Sequence, residues 1–226
     1  MGSIRRAGAP LVYLITDRHA TNGRALPEVV ARALDGLVVV GPPRHRPHPP
    51  SSVAVQLRDK ELGGRALFEL AVELRALTAA RGVRLFVNDR VDIALAVGAD
   101  GVHLGGGALA VDDVNALAPE LEIALSTHAS AQVALAAADP RVSFVVFGPV
   151  FDTPSKRAFG PAQGLAALEA ACGLPIPVLA LGGVEPKAVP ACMEAGAAGV
   201  ACVRAILADD DPASALRAFF EAIEST

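Results

Sequence analysis

The chain has 226 residues, 52% of them hydrophobic and 19% charged, with a formal net charge of −4. That length and apolar content bound it to one large globular domain or two small ones, and exclude a disordered chain. The slight negative balance offers no basic field for nucleic acid or a membrane surface, and no apolar run reaches the roughly 20 residues that span a bilayer. Three cysteines (Cys172, Cys192 and Cys202) are odd in number and lack metal-ligand spacing, so they read as buried thiols of a reducing compartment. Arg5 and Arg6 lead into a strand pattern rather than a signal-peptide core, and a cytoplasmic protein is expected.

Short apolar runs alternate with helical patterns along the whole chain. Val12–Thr16 predicts the first strand and Pro27–Leu34 the first helix. The rhythm then breaks at Leu37–Val40 and a proline-rich insertion near residues 41–52, where missing backbone donors predict an extended surface loop. Its histidines and arginines read as solvated rather than ligand-binding. Beyond it the pairs follow in order: strand Val53–Leu57 with helix Arg65–Arg81, Arg84–Asn88 with Val91–Val97, and Gly101–Leu104 with Val111–Leu117. Ile123–Thr127 precedes helix Ala131–Ala138, and Phe144–Phe147 precedes Leu165–Ala171. Val178–Leu181 precedes Val189–Ala195, and Gly199–Val203 precedes Pro212–Glu224, whose start is marked by Asp211 as N-cap and proline at the first helical position. Gly82, Gly98, Gly173 and Gly196 stand where helices should stop in the left-handed conformation.

Eight strands alternating with eight helices, at roughly 25 residues per unit, predict a single (β/α)8 TIM barrel over residues 1–226. The strands are apolar almost throughout, as strands buried on both faces are. The competing architecture is an open doubly wound sheet. It lacks the glycine-rich fingerprint after the first strand, where Thr16-Asp17-Arg18-His19 stands instead.

In a parallel barrel, functional groups gather at the C-terminal strand ends. Those positions carry Gln56, Arg58 and Lys60; Asn88 and Asp89; His103; Ser126 and His128; and Thr153, Ser155 and Lys156. Arg58, Lys60 and Lys156 supply three cations with amides and hydroxyls nearby, a set that suits a polyanion such as diphosphate. The opposing possibility is that Arg58 and Lys60 merely pair with Asp59 and Glu61 at the surface. Gly182-Gly183 and the segment after Val203 occupy the places where barrels often hold a phosphate.

These motifs, in this order, resemble the thiamine-phosphate synthase family and its close relatives, the thiazole tautomerases. The resemblance is carried by Val55-Gln56-Leu57-Arg58-Asp59-Lys60, Asn88-Asp89-Arg90-Val91-Asp92, Asp100-Gly101-Val102-His103-Leu104-Gly105 and Ser126-Thr127-His128. Phe147-Gly148-Pro149-Val150-Phe151, Thr153-Pro154-Ser155-Lys156, Gln163-Gly164-Leu165 and Ala180-Leu181-Gly182-Gly183-Val184 complete it. It implies a transferase joining a pyrimidine diphosphate to a thiazole phosphate with release of pyrophosphate. Gln56 and Asn88 are then expected near the pyrimidine, with Arg58, Lys60 and Lys156 on the diphosphate and Ser126 beside the reacting groups. Thr153, Ser155, Gly183 and the Val203–Arg204 backbone are expected on the thiazole phosphate, and Asp89 on Mg2+. The partners implied are those two small phosphorylated molecules. A homodimer is compatible, because apolar barrel helices and dimer faces look alike in sequence.

Two positions depart from the synthase pattern. Ala108 stands where a second metal-binding Asp is expected, and Arg204 where a small Ser is expected. Magnesium keeps several waters and needs few protein ligands, so the first departure weakens metal binding without abolishing it. Asp112 and Asp113 read as first-turn residues of the next helix rather than substitutes. Both departures resemble the metal-independent tautomerase branch, in which His128 would be the natural proton carrier; a packed strand-end histidine is the alternative. His103 reads as structural. A degenerate relative that only binds phosphate is a third reading.

Overall fold

The computed structural model describes residues 8–37, 48–152 and 161–226. Eight parallel strands close into a barrel in chain order: β1 (Val12–Ile15), β2 (Val53–Leu57), β3 (Arg84–Asn88), β4 (Gly101–Leu104), β5 (Glu122–Thr127), β6 (Val142–Phe147), β7 (Val178–Leu181) and β8 (Gly199–Cys202). β8 pairs with β1, Val12 opposite Val200, which excludes the open doubly wound sheet. Between the strands run α1 (Leu26–Asp35), α2 (Gly64–Ala79), α3 (Val91–Val97), α4 (Val111–Leu117), α5 (Ser130–Ala137), α6 (Gly164–Cys172) and α7 (Val189–Glu194). The four-residue α8 (Arg204–Leu207) and α9 (Pro212–Glu224) complete the described helices.

Strand residues alternate between two cores, as the period of two requires. One set (Val55, Leu57, Leu85, Val87, Val102, Val145) packs outward against the helices. The other fills the barrel interior, with Tyr13, Phe86 and Phe144 in edge-to-face contact at centroid separations of 5.4–5.7 Å. Ala54, Ala124 and Ala201 share that layer and make room for the rings. Gly101 is required here: a Cβ would stand 2.5 Å from the Phe86 ring and from the Glu122 carbonyl. The inward parity carries upward, so that Gln56, Asn88 and Ser126, each two residues beyond Ala54, Phe86 and Ala124, face the barrel axis at its C-terminal end.

Several expectations shift. Gly82, Gly98 and Gly196 have positive φ, but Gly173 ends α6 in a right-handed conformation at φ −67°. Asp211 caps α9 through the Ser214 amide, as expected. Residues 38–47, most of the proline-rich insertion, lie outside the described residues. Its far end is not an extended solvated loop: Pro50–Ser52 forms one tight turn, and His48 stacks on Phe220 of α9 at 3.9 Å and pairs with Glu224. That end leads into the start of β2, the barrel face opposite the strand C-termini. Among the described residues no helix is long and apolar enough to cross a membrane.

Candidate active site

The C-terminal mouth is built around a polarised chain of amides. Asp89 takes up φ +59°, a left-handed conformation uncommon for a residue with a side chain, and is held there on both sides. Its amide bonds the His103 carbonyl at 3.0 Å, and its Oδ1 accepts from the Gly105 amide at 2.8 Å. Asp89 Oδ2 accepts from Asn88 Nδ2 at 2.9 Å. A carboxylate can only accept, so the Asn88 amide is fixed with Oδ1 turned toward Gln56, whose Nε2 donates to it at 3.3 Å. This leaves Gln56 Oε1 over. It is a buried acceptor without a partner among the described residues, on a residue 1% exposed.

Arg58, beside this chain, is kept free by a second set of contacts. Asp59, the neighbour of Arg58 and Lys60, is engaged by Arg18 Nε at 2.7 Å, and Arg18 and His19 both reach Glu61 at 3.0 Å. The surface pairing of Arg58 and Lys60 with Asp59 and Glu61 is therefore not what the fold makes. Arg58 carries no ion pair among the described residues, and Lys60 Nζ lies 3.9 Å from Asp89 Oδ2. The Arg58 amide donates at 2.9 Å to Oγ1 of Thr16, a fully buried residue directly after β1.

His103 and Ser126 face each other across β4 and β5, with His103 Nε2 2.8 Å from Ser126 Oγ. Burial, helped by the positive charge of Arg58, pushes the His103 ring down to about 3, so it is neutral in ordinary buffers. His103 is thus a buried, neutral ring tied directly to a mouth residue. His128 lies at the rim: its Nδ1 is 2.6 Å from the Gly148 carbonyl and its amide donates to Gln132 Oε1 at 2.6 Å. Since a carbonyl only accepts, Nδ1 carries a proton and donates to it.

The loops after β6 and β7 are zipped together. Val150 and Phe151 amides donate to the Leu181 and Gly182 carbonyls at 2.8 and 3.0 Å. Only glycine allows this approach: Gly182 has φ +100° with Pro149 2.5 Å from a would-be Cβ, and Gly183 has φ +64° with Phe151 and Asp152 at 2.9 Å. Gly183 is exposed, beside the end of β7. Val203 caps α8, and Arg204, its first residue, is exposed.

Of the residues singled out, Gln56, Asn88, Asp89 and Lys60 form one contact chain, and Ser126 and His128 belong to the same mouth. Thr153, Ser155 and Lys156 lie outside the described residues. Ala108 leaves Asp89 without a second carboxylate, and among the described residues no group of three or more His, Cys, Asp or Glu could hold a metal. Asp112 pairs with Arg141 in the first turn of α4, so it does not stand in. Sequence reasoning missed Thr16, Arg18 and Tyr13 as parts of the site. Thr16 had a signal, a polar residue directly after an apolar strand.

The family model described as thiamine monophosphate synthase matches residues 12–206. A Geobacter sulfurreducens relative is 46% identical over 213 residues, covering 92% of this chain and 91% of its own. A thiamine-phosphate synthase from Roseiflexus castenholzii is 39% identical, covering 94% and 87%. Among solved structures, thiamine phosphate pyrophosphorylase from Pyrococcus furiosus superposes with a TM-score of 0.80 at 29% identity, covering 95% of each chain. A 3-hexulose-6-phosphate synthase, at 21% identity and TM-score 0.58, shares the fold alone. These matches show that the chain belongs to the thiamine monophosphate synthase family.

Proposed function

We propose that the chain is a transferase of thiamine biosynthesis, joining an aminopyrimidine methyl diphosphate to a thiazole phosphate with release of pyrophosphate. The observation that carries this reading is Gln56 Oε1, buried and without a partner among the described residues, beneath Arg58 and Lys60. A buried acceptor without a partner costs free energy until a ligand donor meets it, and the exocyclic amino group of the pyrimidine is such a donor. Arg58 and Lys60 supply charge for the diphosphate, with Lys156 as the third cation by position in sequence. In the reaction, the bond from the pyrimidine methylene carbon to the diphosphate oxygen breaks with its electron pair going to oxygen. The thiazole nitrogen lone pair then forms the new C–N bond. The protein's part is to hold both partners in line and stabilise the departing anion. Thr153, Ser155, Gly183 and the Val203–Arg204 backbone are proposed to hold the thiazole phosphate.

One carboxylate fits magnesium only in company with substrate oxygens and water, the usual manner of that ion. Asp89 would hold it, and the ion would neutralise charge on the diphosphate. Gln56→Leu tests the reading. The wild type should bind the aminopyrimidine diphosphate at least tenfold more tightly than the analogue lacking the amino group, about the value of one buried polar match. The variant should lose that preference; equal preference in both would overturn the assignment.

A specific observation favours a second reading. His128 is exposed at a rim that lacks the second carboxylate, with Nδ1 bonded to the Gly148 carbonyl, which is compatible with a metal-free proton shift on a thiazole carboxylate phosphate. If that is the main activity, His128→Ala abolishes isomerisation, and the wild type forms no thiamine phosphate at any magnesium concentration.

A further inference from the structure

A chain of three side chains crosses the barrel interior beneath the mouth, and the transfer reaction as described makes no use of two of them. Tyr13 of β1 is fully buried, and burial holds its phenol protonated, well above the usual range. A buried O–H must find an acceptor. The partner in reach among the described residues is His103 Nδ1, at 3.4 Å, on a ring that is itself 2% exposed. Were Nδ1 to carry the imidazole proton, the Tyr13 hydrogen would be left buried with nothing to receive it. Nδ1 therefore accepts. A neutral imidazole has one N–H, which then lies on Nε2 and donates to Ser126 Oγ at 2.8 Å. With His103 filling one acceptor position on Oγ, the Ser126 hydrogen turns away from the ring.

We propose that Tyr13 and His103 are positioning residues that act through Ser126, fixing its hydroxyl as a hydrogen-bond donor to an acceptor atom of the bound pyrimidine diphosphate. This rests on the transferase reading for the identity of the ligand, but the direction of the chain does not. The arrangement complements the opposite wall: Asp89 and Asn88 polarise Gln56 to offer an acceptor, while Tyr13 and His103 polarise Ser126 to offer a donor. The two walls together match a ligand edge that carries a donor on one side and an acceptor on the other.

Two measurements test it. The first is the nitrogen-15 spectrum of the histidine ring in the free protein. His103 should show one protonated nitrogen, Nε2, and Tyr13→Phe should release this preference into a mixture of tautomers. A protonated Nδ1 in the wild type overturns the proposal. The second is a double-mutant cycle on kcat and KM between His103→Phe and Ser126→Ala. Each single change should lower kcat about tenfold, the scale of one oriented hydrogen bond, with the double variant no worse than Ser126→Ala alone. His103→Gln, whose amide can accept from Tyr13 and donate to Ser126, should recover most of the loss. Losses that multiply, or no recovery by glutamine, would show a packing role only and overturn the proposal. Should His103→Phe fail to fold, Tyr13→Phe takes its place in the cycle. A wild type without turnover defeats the transferase reading, and the ring spectrum still decides the direction of the chain.

Discussion

Position 108 is where a single side chain has most leverage over the chemistry. The Ala108 amide bonds the Gly105 carbonyl at 3.1 Å, and the Gly105 amide in turn bonds Asp89 Oδ1. A carboxylate at 108 would therefore stand about one turn from the one that is present. Ala108→Asp should lower the magnesium concentration needed for half-maximal activity about tenfold, since each added charged ligand tightens a hard-cation site. Metal titrations of activity that superimpose for the two proteins would show that the new carboxylate does not reach the ion. Arg18 acts by removing competition. It occupies Asp59, whose side chain is 5% exposed, and so leaves Arg58 free to meet an anion. Arg18→Met should raise KM for the diphosphate substrate several-fold and also lower the melting temperature, because it leaves the nearly buried Asp59 carboxylate without its cation; an unchanged KM would contradict this role. That role was not legible in the sequence. Arg58, Lys60, Asp59 and Glu61 are adjacent in the chain, and local pairing is the natural reading; the counter-cations come from a loop about forty residues earlier, which only the barrel brings alongside.

At the level of elements, strand and helix order was readable because the apolar runs are long and glycines punctuate them. Val178–Leu181, Gly101–Leu104 and Pro212–Glu224 have the predicted bounds, and β6 begins at Val142, two residues earlier than its apolar run suggested. The helix α8 was not readable: at four residues it is too short for a period of 3.6 to declare itself. The β6 and β7 loops illustrate what glycine contributes at this scale. Gly183→Ala would place a methyl group 2.9 Å from Phe151 and Asp152 at a positive φ, at a cost of about 1–3 kcal/mol. Thermal unfolding should register that loss, and KM for the thiazole phosphate should rise with it. An unchanged melting temperature would mean that the two loops are not packed as described.

For the molecule as a whole, the barrel interior couples stability to the mouth. Tyr13 and His103 are separated by 90 residues in sequence, so their contact is a product of closure and had no local signature. The His103 ring lies near 3 when folded against an ordinary 6.5, and the unfolded chain therefore binds the extra proton first. Its contribution to stability is complete above about pH 6.5 and is lost as pH falls from there toward about 3, on the order of 5 kcal/mol in full. The melting temperature of the wild type should fall more steeply across that window than that of His103→Gln, in which the carboxylates titrate alike but the buried ring is gone. Parallel curves would contradict the burial of that ring.

The central claim, that the strand C-termini form a mouth for a diphosphate and its thiazole partner, is tested most directly by turnover. Purified protein with aminopyrimidine methyl diphosphate, thiazole phosphate and magnesium should yield thiamine phosphate and pyrophosphate in equal amounts. Arg58→Met should lower kcat/KM by about a hundredfold, the scale expected when a cleft is deprived of one charge-assisted hydrogen bond to its anion. Absence of product across a wide range of magnesium, or an Arg58→Met variant as active as the wild type, would contradict it.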